Sequence, residues 1–485
     1  MAYNLHDLKI EGIEIGKVLA CNISGIVSEH TTIVLNILIE DEDSENKLMF
    51  EVSENTAIKL FFDRKEIRKY IFQGILTDIH IDAKTDVKYA VIIAKSYSYL
   101  LDIKKKSRSF QDINMKYSTL FSQILAEYGA KYHINIEDKA IGEIKLQYEE
   151  TDWEFIKRTA TELSTFVSSI SENEGVSCYI GLPKLEEHEI EYTLEYSTKD
   201  MATYYYLKAN GEDVKAIDYS KFNISSYEVL NLCEIIKIKR KPFIIYSYTY
   251  DFSGNEMFCK YDVQAKAGIK TNRIYPRHIT GIALEGEVIN VMNDMVQVYF
   301  NIDKERINET SVSENKKDSI IIKNNEQKKL IWFPYSTIAA STDGTGWYYM
   351  PEIGDLVKVY FPGKHLSQAI ALSSVSNYKI EDIKGIDKMK NSETIYLSTK
   401  NDQALIISES GVRLSSKGSY VSLNESGNLK IRSNAIGISA KENINISANK
   451  INMTGDLSIN AKEAGLAIKK ETSSVGFSGS KVFIN

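Results

Sequence analysis

From Thr394 to Asn485 the chain repeats a short unit, and this repeat restricts the possible folds more than any other feature of the sequence. Apolar-x-apolar pairs recur at Leu405/Ile407, Val412/Leu414, Val421/Leu423, Leu429/Ile431, Ile436/Ile438, Ile444/Ile446, Ile451/Met453, Leu457/Ile459, Leu466/Ile468, Val475/Phe477 and Val482/Ile484, with starts 6 to 9 residues apart. Gly, Ser, Asn, Lys and Asp between the pairs supply the corners at which a strand folds back. Proline, which would remove a ladder donor, does not occur after Pro362. One unit cannot fold alone. Two buried aliphatic side chains contribute about 3 to 6 kcal/mol, whereas fixing roughly eight backbones costs about 8 to 16 kcal/mol, and each ladder hydrogen bond returns only about 1 kcal/mol net. The repeats must therefore stack. Either one chain winds its own triangular β-helix at three repeats per coil, or three chains wind about a common axis. Eleven repeats would close fewer than four coils in one chain, which favours a triangular trimeric β-helix. Its core would hold Val421, Leu423, Leu429, Ile431, Ile436, Ile438, Ile444, Ile446 and Ile451.

The remaining residues are too many for a single hydrophobic core, so several domains precede the repeat. A net charge of -7 with acids and bases interleaved leaves no nucleic-acid footprint. The residues from Met1 to Ile10 lack the basic and apolar regions of a secretory signal, so synthesis in the cytoplasm is expected. No apolar run approaches 18 residues, and no transmembrane helix is expected. Cys21, Cys178, Cys233 and Cys259 form no CxxC pair and read as buried thiols.

Residues 1–100 alternate apolar and polar positions, as in the run Ile33 to Ile39, and read as a first β-barrel. In 101–175 the period becomes helical. Tyr117, Leu120, Phe121, Ile124, Leu125 and Tyr128 mark one helix, closed by Gly129. Thr151 and Glu154 make a capping box for a second helix with Trp153, Ile156, Ala160, Leu163 and Val167 on its buried stripe. Residues 176–278 read as a second barrel whose tyrosine runs, Tyr204 to Tyr206 and Tyr246 to Tyr250, belong to strands. Five short strands between 279 and 377 suit an OB-type barrel, interrupted by a surface loop from Asp303 to Lys329. Residues 378–393 are a charged connector before the shaft, 394–485. The expected fold is thus mainly β: tube-like barrels with a helical insert, an OB barrel and a C-terminal β-helix.

Three stretches carry a family likeness. The segment from Ser107 to Asp112 (SRSFQD), the segment from Leu146 to Phe155 (LQYEETDWEF) and the segment from Gly344 to Val359 (GTGWYYMPEIGDLVKV) resemble motifs of the VgrG family, the spike hubs of type VI secretion and related contractile injection systems. In the last, Gly344 and Gly346 are expected to permit a tight turn, Trp347 to pack on the barrel, Pro351 and Gly354 to bracket a second turn, and Asp355 to open the final strands. The resemblance implies a homotrimer that sits on a hexameric inner tube, contacts baseplate proteins and continues into a membrane- or wall-piercing needle. It further implies a PAAR-like tip protein on Val482, Phe483, Ile484 and Asn485, and effector cargo.

Chemistry is not written in this sequence. The seven histidines are never paired at metal spacing, and neither GxSxG nor GxxxxGK[ST] occurs, so no metal, cofactor or catalytic residue is expected. Residues 377–391 are too few to hold a wall-degrading domain between barrel and shaft. Two other readings share the repeat: a single-chain β-helical polysaccharide lyase or depolymerase, and the tail hub of a contractile phage.

Overall fold

The computed structural model describes residues 3–304, 329–374 and 393–454, apart from 4–6, 14–16, 40–41, 54–55, 65–66, 83–87, 186, 212, 253–255, 270, 339–340, 342–344, 400 and 453. It divides into two compact units, Met1–Asn377 and Tyr378–Asn485. Among the described residues no helix is long and apolar enough to cross a membrane.

In the first unit, β1 (Leu8–Glu11), β2 (Lys17–Ile26), β3 (Thr32–Ile39), α1 (Glu42–Asn46), β4 (Ala57–Arg64), β5 (Ile67–Asp82) and β6 (Lys88–Ser96) come first. The insert follows, with β7 (Lys105–Phe110), α2 (Tyr117–Ala126), β8 (Lys131–Ile134), β9 (Lys145–Thr151), α3 (Asp152–Thr161), β10 (Val167–Ser169) and β11 (Ser177–Ile180). Then come β12 (Glu187–His188), β13 (Thr193–Lys199), α4 (Met201–Ala209), β14 (Ser220–Ser226), β15 (Ile235–Ile238), β16 (Lys241–Asp251) and β17 (Phe258–Gln264).

The two strand-rich stretches share one 12-stranded sheet among the described residues, in the order β1-β4-β5-β6-β3-β2-β16-β17-β14-β13, with β15 and β12 branching from β16. The seam is the antiparallel pair β2–β16, with Ile26 opposite Ser247 and Asn22 opposite Asp251. Alternation explains the burial: Ile33, Leu35 and Ile37 of β3 and Ala90, Ile92 and Ala94 of β6 point into one core that also takes Ile245, Tyr250 and Tyr261. All four cysteines are buried and unpaired.

The insert has its own core, where Leu120, Phe121, Ile124 and Leu125 of α2 meet Trp153, Phe155, Ile156 and Ala160 of α3. The Thr151 side chain accepts from the Glu154 N–H while Glu154 reaches back to the Thr151 N–H, the reciprocal pairing of a capping box. One expectation is overturned here. Tyr204 to Tyr206 lie in a helix, α4, because Asp200 caps it by accepting from the Thr203 N–H. The β preference of tyrosine is a weak, context-dependent bias, and the cap outweighs it.

The small barrel is a five-stranded antiparallel sheet of β18 (Ala283–Met292), β19 (Met295–Phe300), β20 (Trp332–Pro334), β21 (Leu356–Tyr360) and β22 (Ile370–Ser374), ordered β20-β19-β18-β21-β22. Its core of Val288, Val296, Val298, Phe300, Val357, Val359 and Phe361 also receives Ile144 and Leu146, so the start of β9, a strand paired with β7 of the insert, packs into this barrel.

The second unit, described from residue 393 to 454, is an antiparallel meander of β23 (Ile395–Ser398), β24 (Gln403–Ser408), β25 (Gly411–Ser416), β26 (Ser419–Asn424) and β27 (Leu429–Arg432). Lys417 and Gly418 both have positive φ, 47° and 87°, as the two-residue hairpin between β25 and β26 requires. Residues 433–452 form no strand. The described part of one chain therefore makes one antiparallel five-stranded ribbon and no closed coils.

Candidate functional site

Among the described residues no three His, Cys, Asp or Glu side chains gather as a metal site. What the fold positions instead are packing and contact surfaces, and three of them coincide with the stretches singled out in the sequence.

The first is a buried ionic knot where the two insert stretches meet. Asp152, the first residue of α3 and fully buried, accepts from Arg108 (2.5 Å), Lys106 (2.6 Å), the Tyr128 hydroxyl (2.6 Å) and Gln147 (3.0 Å). Arg108 also donates to Gln147 Oε1 at 2.8 Å and to Glu127. Burial pushes the Asp152 carboxyl up, but Arg108 and the donors from Lys106, Tyr128 and Gln147 outweigh it and hold the carboxyl below its ordinary value. Arg158 is paired in turn with Glu150, donating at 2.8 and 2.7 Å to its two oxygens. Sequence spacing gave no sign of the knot, because its members lie 44 residues apart between Arg108 and Asp152.

The knot continues into a latch on the small barrel. The Ser109 N–H and hydroxyl donate to Asp303 at 2.8 and 2.6 Å, and Gln111 donates to the Val298 carbonyl at 3.1 Å. Asp303 is 3% exposed. It was expected to open a surface loop and instead belongs to the contact with β7; residues 305–328 lie outside the described residues.

In the barrel motif, Gly344 lies outside the described residues, while Gly346 has φ +143° and Gly354 φ +96°. Pro351 is buried. Asp355 accepts from the Glu352 N–H at 2.9 Å and its carbonyl accepts from Val288 at 2.8 Å, which fixes the turn before β21. Trp347 does not pack on the barrel as expected: it is 48% exposed, and Tyr348 beside it holds the loop by donating to the Asn293 carbonyl at 2.6 Å. The tyrosine hydroxyl, having a carbonyl to bond, takes the anchoring role.

The third surface lies in the second unit. The register aligns Leu397, Leu405, Leu414, Val421 and Ile431 in one cross-strand row, and Ile395, Ile407, Val412, Leu423 and Leu429 in a second. Both rows are two residues apart on every strand and so share one face. Ile395, Ile407, Val412, Leu414, Val421, Leu423, Leu429 and Ile431 are 41–65% exposed in the single chain. Ile436, Ile438, Ile444, Ile446 and Ile451 are also exposed. Val482, Phe483, Ile484 and Asn485, proposed from the sequence as a tip contact, lie outside the described residues.

One titratable pair stands apart. Glu172 and Glu234 line a cavity of about 50 Å³ with Ser171, Asn231 and Tyr248. Burial, with the charge of Glu234 adding to it, pushes the Glu172 carboxyl up to about 7. A raised folded-state value means that the native state holds its proton more tightly than the unfolded one. That contribution is full below pH 4.5, the ordinary value, and is lost as pH rises through about 7. Glu172→Gln is therefore expected to flatten the pH dependence of unfolding by on the order of 3 kcal/mol, measured by urea denaturation of the full chain between pH 4.5 and 8.

Comparison with known proteins places this geometry. Two family models match: the Alg8 N-terminal domain over residues 8–210, and the type VI secretion system/phage-baseplate injector OB domain over residues 317–375. No curated protein matches the chain. Among solved structures, an E. coli component of the type VI secretion system, described as structurally similar to the bacteriophage T4 tail proteins gp27 and gp5, superposes with a TM-score of 0.52 at 14% identity, covering 76% of this chain and 100% of that one. The Francisella PdpA-VgrG complex in its lidded form superposes with a TM-score of 0.51 at 10% identity, covering 88% of this chain and 79% of that one. Its half-lidded form gives 0.50 at 10% identity, with 88% and 87% covered.

Proposed function

We propose that this chain, whose fold is that of VgrG-type spike and hub proteins, is the structural hub and spike of a contractile injection machine. Three copies assemble. The first unit of each supplies two strand-rich halves, so a trimer offers six quasi-equivalent positions to a hexameric inner tube and to baseplate proteins. The small barrels and the repeats continue with threefold symmetry as a needle, a triangular β-helix, which a PAAR-like protein caps and which carries effector cargo. Located at the tip of the particle, it meets a membrane or wall only on firing, and the force comes from the contracting sheath rather than from any chemistry of this chain.

The observation that supports the reading is the uncovered apolar face of β23 to β27. Eight aliphatic side chains at least two-fifths exposed on one face of an antiparallel ribbon are an aggregation hazard unless other copies cover them. Three ribbons set edge to edge around an axis bury all of their inner faces, and the repeat continues the same pattern to its end. The purified full-length protein is expected to have a solution mass of three 55.0 kDa chains. Particles assembled with a chain ending at Tyr378 should lose delivery or killing. A monomer by mass, or hydrolysis of peptidoglycan or polysaccharide by the purified protein, overturns the proposal.

A further inference from the structure

Charge is divided unevenly along this chain. From Thr394 to Asn485 there are 11 Lys and Arg against 7 Asp and Glu, a surplus of +4, and since the whole chain carries -7, residues 1–393 carry -11. An asymmetry of this kind points to contact between the basic part and an anionic surface. The described part of the second unit shows where the positive charge goes. Its acids sit at corners: Asp402 lies between β23 and β24, Glu409 between β24 and β25, and Glu425 between β26 and β27. The charged side chains borne by its strands are Arg413, Lys430 and Arg432, and all are basic. All three are exposed and alternate with the aliphatic residues, so they stand on the face opposite the apolar rows. Among the described residues they form no ion pair.

We propose that this basic face is a docking surface for the anionic headgroups of a phospholipid bilayer, met when the needle passes through it. The inference rests on the trimeric reading above, which makes this face the outer one, and names the chemistry that the face meets. Register sets the spacing. Arg413 lies opposite Ser422 and Ser422 opposite Lys430, which puts the two cations roughly 10 Å apart across the strands. Arg432 is two residues along from Lys430, roughly 7 Å, and pairs with Tyr420, whose ring lies 4.3 Å from the Arg413 guanidinium. The cations thus spread in two directions over a sheet face, which matches a two-dimensional field of headgroups. A single-stranded nucleic acid is instead tracked by cations along a groove. Tyr396, Ile406 and Tyr420 share the face with them, and tyrosine beside Arg and Lys is the composition of membrane interfaces. The -11 of residues 1–393 is repelled by the same headgroups, so the contact falls to the repeat. Each cation removed should weaken binding about fivefold.

The test is co-sedimentation of the full-length protein with vesicles, either of phosphatidylcholine alone or of equal parts phosphatidylcholine and phosphatidylglycerol. Binding to the anionic vesicles only is expected, with its loss in about 1 M salt, where the screening length falls to about 3 Å. R413S/K430S/R432S should weaken binding about 100-fold and leave mass and unfolding transition unchanged, the three positions being exposed. A control of equal charge is K239N/R240N/K241Q, at exposed residues where β15 turns into β16; asparagine tolerates the positive φ of Lys239 and Arg240. This variant should bind as the unaltered protein does. A trimer that ignores anionic vesicles, or binds them equally well as R413S/K430S/R432S, overturns the inference and leaves the trimeric reading intact. Single chains by mass overturn that reading instead, and vesicle binding still lost in R413S/K430S/R432S then upholds the face alone. Retention on duplex DNA in place of the vesicles assigns the face to nucleic acid and sinks the proposal.

Discussion

Replacing both Leu414 and Val421 with aspartate is expected to split the proposed trimer into single chains while leaving the unfolding transition of Met1–Asn377 in place. The two residues face each other across β25 and β26, in the middle of one apolar row, and are 59% and 41% exposed in one chain. If other copies cover that row, each side chain contributes about 1 to 2 kcal/mol on assembly. Six such positions in a trimer then amount to on the order of 10 kcal/mol, before the cost of burying carboxylates is added. A control comes from the opposite face, where Arg413 pairs with Ser422 between the same strands. Aspartate at Ser422 should leave assembly unchanged, since that face points to solvent in a needle. Sedimentation of both variants distinguishes the outcomes: a trimer that survives L414D/V421D shows that the face is not the contact.

The largest effect on folding is expected from Asp152→Ala, which should lower the stability of the first unit by about 3 to 5 kcal/mol. The substitution removes the acceptor of four donors at a buried carboxylate, and leaves Arg108, at 3% exposure, with the more exposed Glu127 as its remaining acid. Denaturant titration of the full chain reads the loss. Its pH dependence follows from sign. The folded Asp152 value is depressed, so the carboxylate stabilises above the ordinary value near 3.9, and that stability disappears as pH falls through the lower folded value. The deficit of the variant should be constant from about pH 8 to 5 and shrink in acid. A deficit that instead grows in acid would show that the knot works in another protonation state.

Several parts of the fold were legible along the chain because the forces that specify them are local. The capping box at Thr151 and Glu154, the alternation in β3 and β6, and the short strands of the small barrel each depend on residues within a turn or a strand of one another. Other parts depend on contacts that no local pattern encodes. The β2–β16 seam joins residues over 200 positions apart. The Ser109–Asp303 latch spans 194 residues and drew into a domain contact an aspartate that looked like the start of a loop. Trp347 offered a packing role by its size, and only the tertiary arrangement gave that place to the Tyr348 hydroxyl. In α4, one aspartate accepting a backbone N–H decided between helix and strand for three tyrosines.

By itself the sequence determined that the C-terminal repeat cannot stand as single units, because two aliphatic residues do not offset the entropy of fixing about eight. The tertiary structure decided how one chain lays the repeats out: an antiparallel meander whose register collects ten aliphatic side chains between Ile395 and Ile431 in two rows on one face, with Ile406 on the other. The reason is the two-residue period of a strand, which sends alternate side chains to the same side, so that a pattern of pairs becomes a surface only once neighbouring strands are in register.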